Sequence, residues 1–183
     1  MIVANRYAKS LLELADEKGQ LEKVYADMQF VQGVYNSSKD FVNFLNSPII
    51  KTDKKLAVLK AVFGSNISEM SLNFFTILAN KRREMYVGGI AKAFIAQYKE
   101  HKNITTAVIT SAIVIDETIR AKVLELVKKS VKGEVELIEK TDKDLIGGFV
   151  LRIGDKQVDA SISRKLNELR KSFSENPHTI NIN

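Results

Sequence analysis

The chain of 183 residues contains no cysteine and only two histidines. Without cysteine it has no disulfide bonds, thiol nucleophiles or thiolate metal sites, which suits a reducing compartment. No stretch approaches the roughly 20 apolar residues that a membrane-spanning helix needs. The first fifteen residues carry Arg6, Lys9 and Glu13 among apolar positions, unlike a secretory signal peptide. We therefore expect no direct membrane insertion, and any membrane association to come through a partner.

Side-chain patterns that carry catalysis are also absent. His101 is predicted to end a helix and His178 lies in the tail, so a paired role for the two histidines is not expected. The sequence has neither a G-x-x-x-x-G-K-[ST] phosphate loop nor a G-x-S-x-G nucleophile elbow. Gly147 and Gly148 run on into a strand pattern, which favours a bulge or close backbone approach over a ligand loop. We predict a non-catalytic protein with no catalytic, cofactor-binding or metal-binding residues.

The positive charge is modest and unevenly placed. The formal net charge is +6; residues 1–104 hold 15 Lys and Arg against 10 Asp and Glu, and residues 105–183 hold 13 against 12. Basic residues cluster at 51–55 and at 81–83. A nucleic-acid surface usually shows a denser stripe with interleaved aromatic residues. Solvated helix ends and loops are therefore favoured over a functional basic patch, and no nucleic-acid partner is predicted.

Up to about residue 104 the apolar residues recur with a helical period. Gly19 and Gly64 are each expected to end a helix in a left-handed conformation, and Pro48 ends another because the residue before proline avoids the helical region. Thr52 or Asp53 is expected to cap the helix that follows. Such short connections predict a six-helix bundle. The predicted helical segments are 2–18, 20–37, 39–46, 52–63, 67–80 and 84–103.

After Asn103 the pattern changes to a mixture of strands and helices. The segment 104–115 is rich in β-branched residues and predicts a strand, and Asp116 is expected to cap the helix that follows. Three further strands and a closing helix from about Ser161 complete a β-α-β-β-β-α order. In the closing helix Ile162, Leu166, Leu169 and Phe173 share one face. We predict two domains, a helical bundle at 1–104 and a small mixed α/β domain at 105–183, with a frayed tail.

The first helix has more apolar surface than one core face requires. At about 100° per residue, Ala4, Ala8, Leu11 and Ala15 form one face. A flank beside it adds further apolar residues, and the whole arc spans roughly 180°, whereas a surface helix needs only about 100° for its core face. That flank consists of Val3, Tyr7 and Leu14, and it is bordered by Ser10.

The fifth helix repeats this surplus. Around Leu78 a core-like face includes Phe74 and Phe75, and Met70 and Ile77 extend the apolar arc on one side. One interpretation is that both helices are central in the bundle and bury both flanks. The other is that the two flanks form an apolar groove for an amphipathic helix of a partner protein, with a tyrosine as a binding hot spot.

Two motifs resemble one known family. Residues 5–15 read N-R-Y-A-K-S-L-L-E-L-A, which is similar to the opening R-Y-A-x-A-L-x-x-x-A of the delta subunit of bacterial F-type ATP synthases. That family is related to the mitochondrial oligomycin-sensitivity-conferring protein. Residues 137–169 resemble its C-terminal signature, a D-x-x-L-I-G-G run, a G-D hairpin and D-x-S before a closing helix. The likeness extends over the whole chain, with Ser10 at a common alanine position and a longer tail as departures.

The resemblance implies a stator subunit of the peripheral stalk of a proton-translocating ATP synthase. Its helical domain would bind the N-terminal segments of the alpha subunits through the first and fifth helices. Its C-terminal domain would bind the C-terminal end of the b-subunit dimer. The subunit would lie peripherally, through the complex, on the cytoplasmic side of the bacterial inner membrane.

The resemblance also assigns residues to these roles. Contact positions carried over from the family are Tyr7, Ser10 and Ile77. The helical arcs add four further residues to the alpha-binding surface: Val3, Leu14, Met70 and Phe74. Gly147, Gly148 and Asp159 are expected to be structural, shaping the hairpin and the entry to the last helix.

Two other functions compete with this interpretation. A basic helical bundle with a small α/β domain could be an RNA-binding factor of transcription or translation, although the predicted strands lack the aromatic pairs on which RNA bases stack. A small-molecule enzyme would need catalytic residues that the sequence does not offer.

Overall fold

A computed structural model describes residues 2–113, 115–130, 133–143, 145–154 and 156–175. The chain contains helices and a four-stranded mixed sheet, so the broad class that the sequence predicts is confirmed. Contacts between Cα atoms divide it into two compact units, Met1–His101 and Lys102–Asn183. The predicted frayed tail, with His178, lies outside the described residues.

The first unit is helical. Its core is built by large buried side chains, among them Phe63, Phe75 and Phe94. Helix α6 packs along α1 and α2, and α5 packs against α4 and α2. A 3-10 turn, Glu84–Tyr86, precedes the last helix. The helices are α1 (Ile2–Glu17), α2 (Leu21–Ser37), α3 (Lys39–Asn46), α4 (Thr52–Phe63), α5 (Glu69–Asn80) and α6 (Val87–His101).

Local signals located the helix ends with mixed success. Gly19 has a φ of +63°, so its predicted left-handed conformation is confirmed. The prediction for Gly64 is wrong, because its φ is −55° and the chain continues as a right-handed turn. Lys51, rather than Thr52 or Asp53, is the residue before α4, and its side chain makes no capping hydrogen bond. After Gly64 the chain continues in turns, with hydrogen bonds from Asn66 N and Ile67 N to the Phe63 carbonyl oxygen.

The second unit is a mixed sheet with two helices. Parallel β1 and β2 are joined by α7, and β3 pairs antiparallel with both β1 and β4, giving the strand order β2-β1-β3-β4. Ala107, Ile109 and Leu151 of the sheet pack with Val123 and Val127 of α7. The elements are β1 (Ile104–Ser111), α7 (Glu117–Ser130), β2 (Glu134–Thr141), β3 (Phe149–Ile153), β4 (Lys156–Asp159) and α8 (Ile162–Glu175).

The first and third strands are shorter than the sequence pattern indicates. The first ends at Ser111, and the third begins only at Phe149, after the Gly147-Gly148 pair. Asp116 lies immediately before α7 as predicted, and its carbonyl oxygen accepts the first helical hydrogen bonds. Its side chain, however, accepts from the adjacent N–H of Glu117 at 2.8 Å and not from the backbone N–H of the second or third helical residue. Asp155 of the predicted Gly154-Asp155 turn lies outside the described residues.

Candidate partner-binding groove

Helix α1 buries one side and leaves the predicted flank accessible. Its core face of Ala4, Ala8, Leu11 and Ala15 is buried, and so is Leu12. On the predicted flank beside this core face, the side chains remain in contact with solvent to different degrees. Val3 and Tyr7 are half-buried, Ser10 is exposed and Leu14 is 39% exposed.

Helix α5 shows the same asymmetry. Ser71, Phe75 and Leu78 are buried, and Ala79 on one flank is buried as well. The other flank is accessible: Met70 is half-buried and Ile77 is 54% exposed. Phe74, predicted on the core-like face, is also only half-buried. The bundle therefore covers one side of each helix and leaves the other side open.

The two open flanks meet. The rings of Tyr7 and Phe74 contact each other edge to face, with centroids 6.3 Å apart. One cavity of about 550 Å³ is lined by Leu14, Met70, Phe74 and Ile77, among others. A second of about 280 Å³ is lined by Val3, Tyr7 and Ser10, together with Arg6 and Arg83. We name these two cavities the α1–α5 groove; all seven residues predicted to bind alpha line it.

The N-terminal end of α5 is held by a buried carboxylate. Asp27 of α2 accepts hydrogen bonds from the backbone N–H of Ser68 at 3.0 Å and from its hydroxyl at 2.5 Å. It also accepts one of 2.6 Å from the hydroxyl of Ser71. Ser68 in turn caps the helix by accepting from the Ser71 N–H. This network ties the wall of the groove that carries Met70 to the core of the bundle.

Arg83 belongs to the groove, although the sequence places it in a solvated basic loop. Its Nη1 donates a hydrogen bond of 2.5 Å to the hydroxyl oxygen of Tyr7. Its guanidinium carbon also lies 5.5 Å from the centre of the Tyr7 ring, within the range of a cation–π contact. The only local signal was the basic cluster at 81–83, which cannot reveal a contact with α1.

A larger cavity of about 630 Å³ lies beside the connection between α3 and α4. Lys55 and Glu84 line it as a buried ion pair, with Lys55 Nζ 2.6 Å from both Glu84 Oε1 and the Leu45 carbonyl oxygen. The pair joins α4 to the 3-10 turn before α6.

Among the described residues, no group of three or more His, Asp or Glu side chains could hold a metal ion. In the same part of the chain, no helix has the length and apolar character needed to cross a membrane.

In the second unit, Gly147 and Gly148 lie where the backbone closes on itself. Gly148 has a φ of +80°, and a Cβ there would lie 2.4 Å from the carbonyl oxygen of Ala160. Hydrogen bonds of 2.9 Å join Ala160 N to Phe149 O and Ile162 N to Gly147 O. The glycine pair thus permits the close approach of β3 to the start of α8.

Asp159 shapes the same junction. Its carboxylate accepts a hydrogen bond of 2.9 Å from the backbone N–H of Ser161, whose hydroxyl oxygen accepts from Arg164 N at the start of α8. Hydrogen bonds from the side chain and backbone of Ser161, with a smaller contribution from the charge of Arg164, hold the pKa of Asp159 below its usual value. The charged carboxylate is the form that organises the helix entry.

The last helix exposes its apolar face. Phe173 is 79% exposed, and the residues one, two and three turns before it on the same face are exposed as well. The sequence predicts that these residues share a face but does not identify it as a surface. They are Ile162, Leu166, Leu169 and Phe173.

The sequence is similar to one family over nearly its whole length. A family model described as ATP synthase delta (OSCP) subunit matches residues 3–173. The protein called ATP synthase subunit delta from Cytophaga hutchinsonii is 39% identical over 173 residues, which is 94% of each chain. Its namesake from Christiangramia forsetii is 35% identical over 179 residues, covering 98% of this chain and 97% of the relative.

A solved structure shares the fold. A chain of the Toxoplasma gondii mitochondrial ATP synthase hexamer superposes with a TM-score of 0.73. The match covers 93% of this chain and 97% of the other at 24% sequence identity. At that identity the likeness supports the fold.

Proposed function

This chain belongs to the ATP synthase delta (OSCP) subunit family, and on that premise we propose which surfaces connect it to its neighbours. It is a non-catalytic subunit of the peripheral stalk of an F-type ATP synthase. The proposed partners are the N-terminal segments of the alpha subunits for the first unit and the C-terminal end of the b-subunit dimer for the second. Through this complex the subunit would be held at the bacterial inner membrane.

The observation that carries the first contact is the α1–α5 groove. The bundle covers Ala79 on one side of α5 but leaves Ile77 on the other side 54% exposed. Apolar side chains arranged along two adjacent helices are the usual seat for an amphipathic helix. Tyr7 would be a hot spot, because its large ring lines the smaller cavity and contacts both Phe74, which lines the larger one, and Arg83. The six helices would together form the domain that binds the alpha segment.

The second contact would use the apolar face of α8. Leu166 and Leu169 are exposed on it, one turn apart, and Phe173 continues the stripe. An exposed stripe of this kind, bordered by charged residues, fits a helical partner such as the end of a b-subunit helix. The glycine pair and Asp159 would hold α8 at the angle that presents this face.

Two separate surfaces suit the mechanical role of a stator. Rotation of the central shaft exerts torque on the catalytic head, which would turn with the shaft unless it were fastened to the stalk. A single subunit bound off the axis can supply this fastening, because a heterologous contact need not repeat around a closed ring. Each contact would bury about 1,200–2,000 Å² if it resembles other stable protein interfaces.

Calorimetric titration of the full chain with two synthetic segments tests both surfaces. One segment is the alpha N-terminus and the other the b C-terminus from the same organism. Ile77→Asp should weaken alpha binding more than tenfold, about 1.4 kcal/mol or more, because a carboxylate would be buried in the groove. Leu166→Asp should weaken only b binding.

Each variant is the control for the other. Circular dichroism should show the same helical content in both variants as in the natural chain. If both variants bound both segments as tightly as the natural chain, neither surface would be the docking site. Binding of single-stranded RNA in place of the peptides would instead support the nucleic-acid alternative, and its strong salt dependence would identify it.

A further inference from the structure

Both ends of the α1–α5 groove carry positive charge. Arg6 and Arg83 line the smaller cavity, and Lys18 and Lys23 line the far side of the larger one. Among the described residues, these four side chains take part in none of the ion pairs observed. Glu69 is the single carboxylate on the lining of either cavity. The apolar floor is therefore bounded at each end by cations, which outnumber the carboxylates on the lining four to one.

The backbone holds Arg83 over the groove. Helix α5 ends with Arg82 in the left-handed conformation, at a φ of +55°. The N–H of Arg83 donates a hydrogen bond of 2.8 Å to the carbonyl oxygen of Leu78, and that of Arg82 donates one of 2.9 Å to Ala79. This pair of bonds is the Schellman arrangement, which usually has glycine at the left-handed position. A strained arginine there turns the chain so that the next side chain reaches Tyr7.

We propose that Arg83 is a specificity-determining residue, which selects a docked helix carrying a carboxylate at one end of its apolar stripe. The inference rests on the proposed function and adds the chemistry of the partner. One of the five N–H donors of Arg83 is used by the Tyr7 hydroxyl, so the others are available to a carboxylate. Arg6 adds a second positive charge to the same cavity.

The dimensions of the groove define the rest of the guest. Val3 and Leu14 are eleven residues apart on α1, which corresponds to about 17 Å along the helix axis. A guest helix of about three turns would cover this length, with a second acidic residue beyond its other end, near Lys18 and Lys23. The two ends are separated by more than a Debye length of about 8 Å, so each charge contact can be tested alone.

Titration of the full chain with the alpha N-terminal peptide tests the proposal. A second version of the peptide has every Asp and Glu replaced by Asn and Gln, which keeps its length and apolar pattern. Arg83→Gln should weaken binding of the acidic peptide about fivefold at low salt and much less at high salt, as for one partly desolvated ion pair. It should weaken binding of the neutral peptide less, because only the contact of Arg83 with Tyr7 is then lost. Arg83→Lys should give an intermediate loss, because lysine keeps the charge without the planar fork.

Arg82→Gln is the matched control. It removes the same charge one residue earlier, at a side chain that lies outside both cavities of the groove. Equal losses in Arg82→Gln and Arg83→Gln would overturn the proposal in favour of general electrostatic attraction. So would equal losses for the acidic and neutral peptides, because a purely structural role of Arg83 would weaken both.

Failure of this inference is distinguishable from failure of the proposed function. If the peptide binds and Ile77→Asp abolishes binding while Arg83→Gln has no effect, only the role of Arg83 is wrong. If the natural chain binds no peptide, both are wrong. Displacement of the peptide by an RNA oligonucleotide would show that the basic residues at the ends of the groove bind nucleic acid, and it would also overturn the proposal.

Discussion

Replacement of Gly148 by alanine should strongly destabilise the second unit. Gly148 directly precedes β3, and its own φ is +80°. An added Cβ would lie 2.4 Å from the carbonyl oxygen of Ala160 and 3.0 Å from the Cα of Ser161. Both neighbours are backbone atoms, which cannot rotate away as a side chain could.

The magnitude follows from two effects. An L-residue in the left-handed region costs about 1–2 kcal/mol. Relief of the contact would separate Ala160 from β3 and weaken the 2.9 Å hydrogen bond from Ala160 N to Phe149 O, which contributes about 1 kcal/mol net. We expect Gly148→Ala to lower the free energy of unfolding of this unit by about 2–3 kcal/mol, a large part of the roughly 5–15 kcal/mol typical of a domain.

Gly154→Ala is the matched control. Gly154 also has a positive φ, +57°, but no described atom lies within 4 Å of an added Cβ. It should therefore lose only the conformational part, about 1 kcal/mol. The difference between the two variants isolates the close approach of the backbone.

The assay can separate the two units. The chain has no tryptophan, and its five tyrosines all lie in residues 1–101. Tyrosine fluorescence therefore follows denaturant unfolding of the first unit, and amide hydrogen exchange at Ile109 and Leu151 follows opening of the sheet. Gly148→Ala should leave the fluorescence transition unchanged and accelerate the exchange. A loss no larger than that of Gly154→Ala would refute the reasoning.

Two further predictions concern carboxylates. Asp27→Ala should lower the stability of the first unit by about 3 kcal/mol in a urea titration followed by tyrosine fluorescence. The reason is that three donors lose their acceptor: the buried hydroxyl of Ser71, and the backbone N–H and the hydroxyl of Ser68. Asp27→Asn should recover part of this, and a loss below about 1 kcal/mol for Asp27→Ala would contradict it. The folded pKa of Asp159 is lowered by Ser161, so its stabilising contribution is present above the unfolded pKa of about 4 and is lost as pH falls through the folded value. Asp159→Asn should therefore weaken the sheet at neutral pH, and the effect should shrink as pH is lowered, both measured as the free energy of opening from hydrogen exchange of the sheet amides; an effect that does not change with pH would contradict the assignment.

Local sequence signals succeeded where one segment decides the outcome. The helical period placed Ala4, Ala8, Leu11 and Ala15 on a buried face, and they are buried. Glycine signals were less reliable: Gly64 is right-handed, whereas Arg82 is left-handed without being glycine. The reason is that the conformation at a helix end depends on which carbonyl groups the following chain can reach, as the bond from Arg83 N to Leu78 O shows.

Only part of the candidate groove could be predicted from the sequence. The residues that line it could be named, because they follow from the width of two apolar arcs and from a family resemblance. Arg83 could not, since its contact with Tyr7 joins residues 76 positions apart. The sequence predicted that the apolar residues of α8 share one face, but it could not predict that this face is exposed. The same pattern also describes a helix that is buried on that side.

The sequence by itself determined how much apolar surface each helix presents, since that width depends only on the order of residues along one helix. The tertiary structure alone decided which side of that surface the protein covers. Ala79 and Ile77 both lie at the edges of the arc on α5, yet the first is buried and the second is 54% exposed. Coverage depends on which neighbouring helices pack there, and no periodicity within a single segment specifies its neighbours.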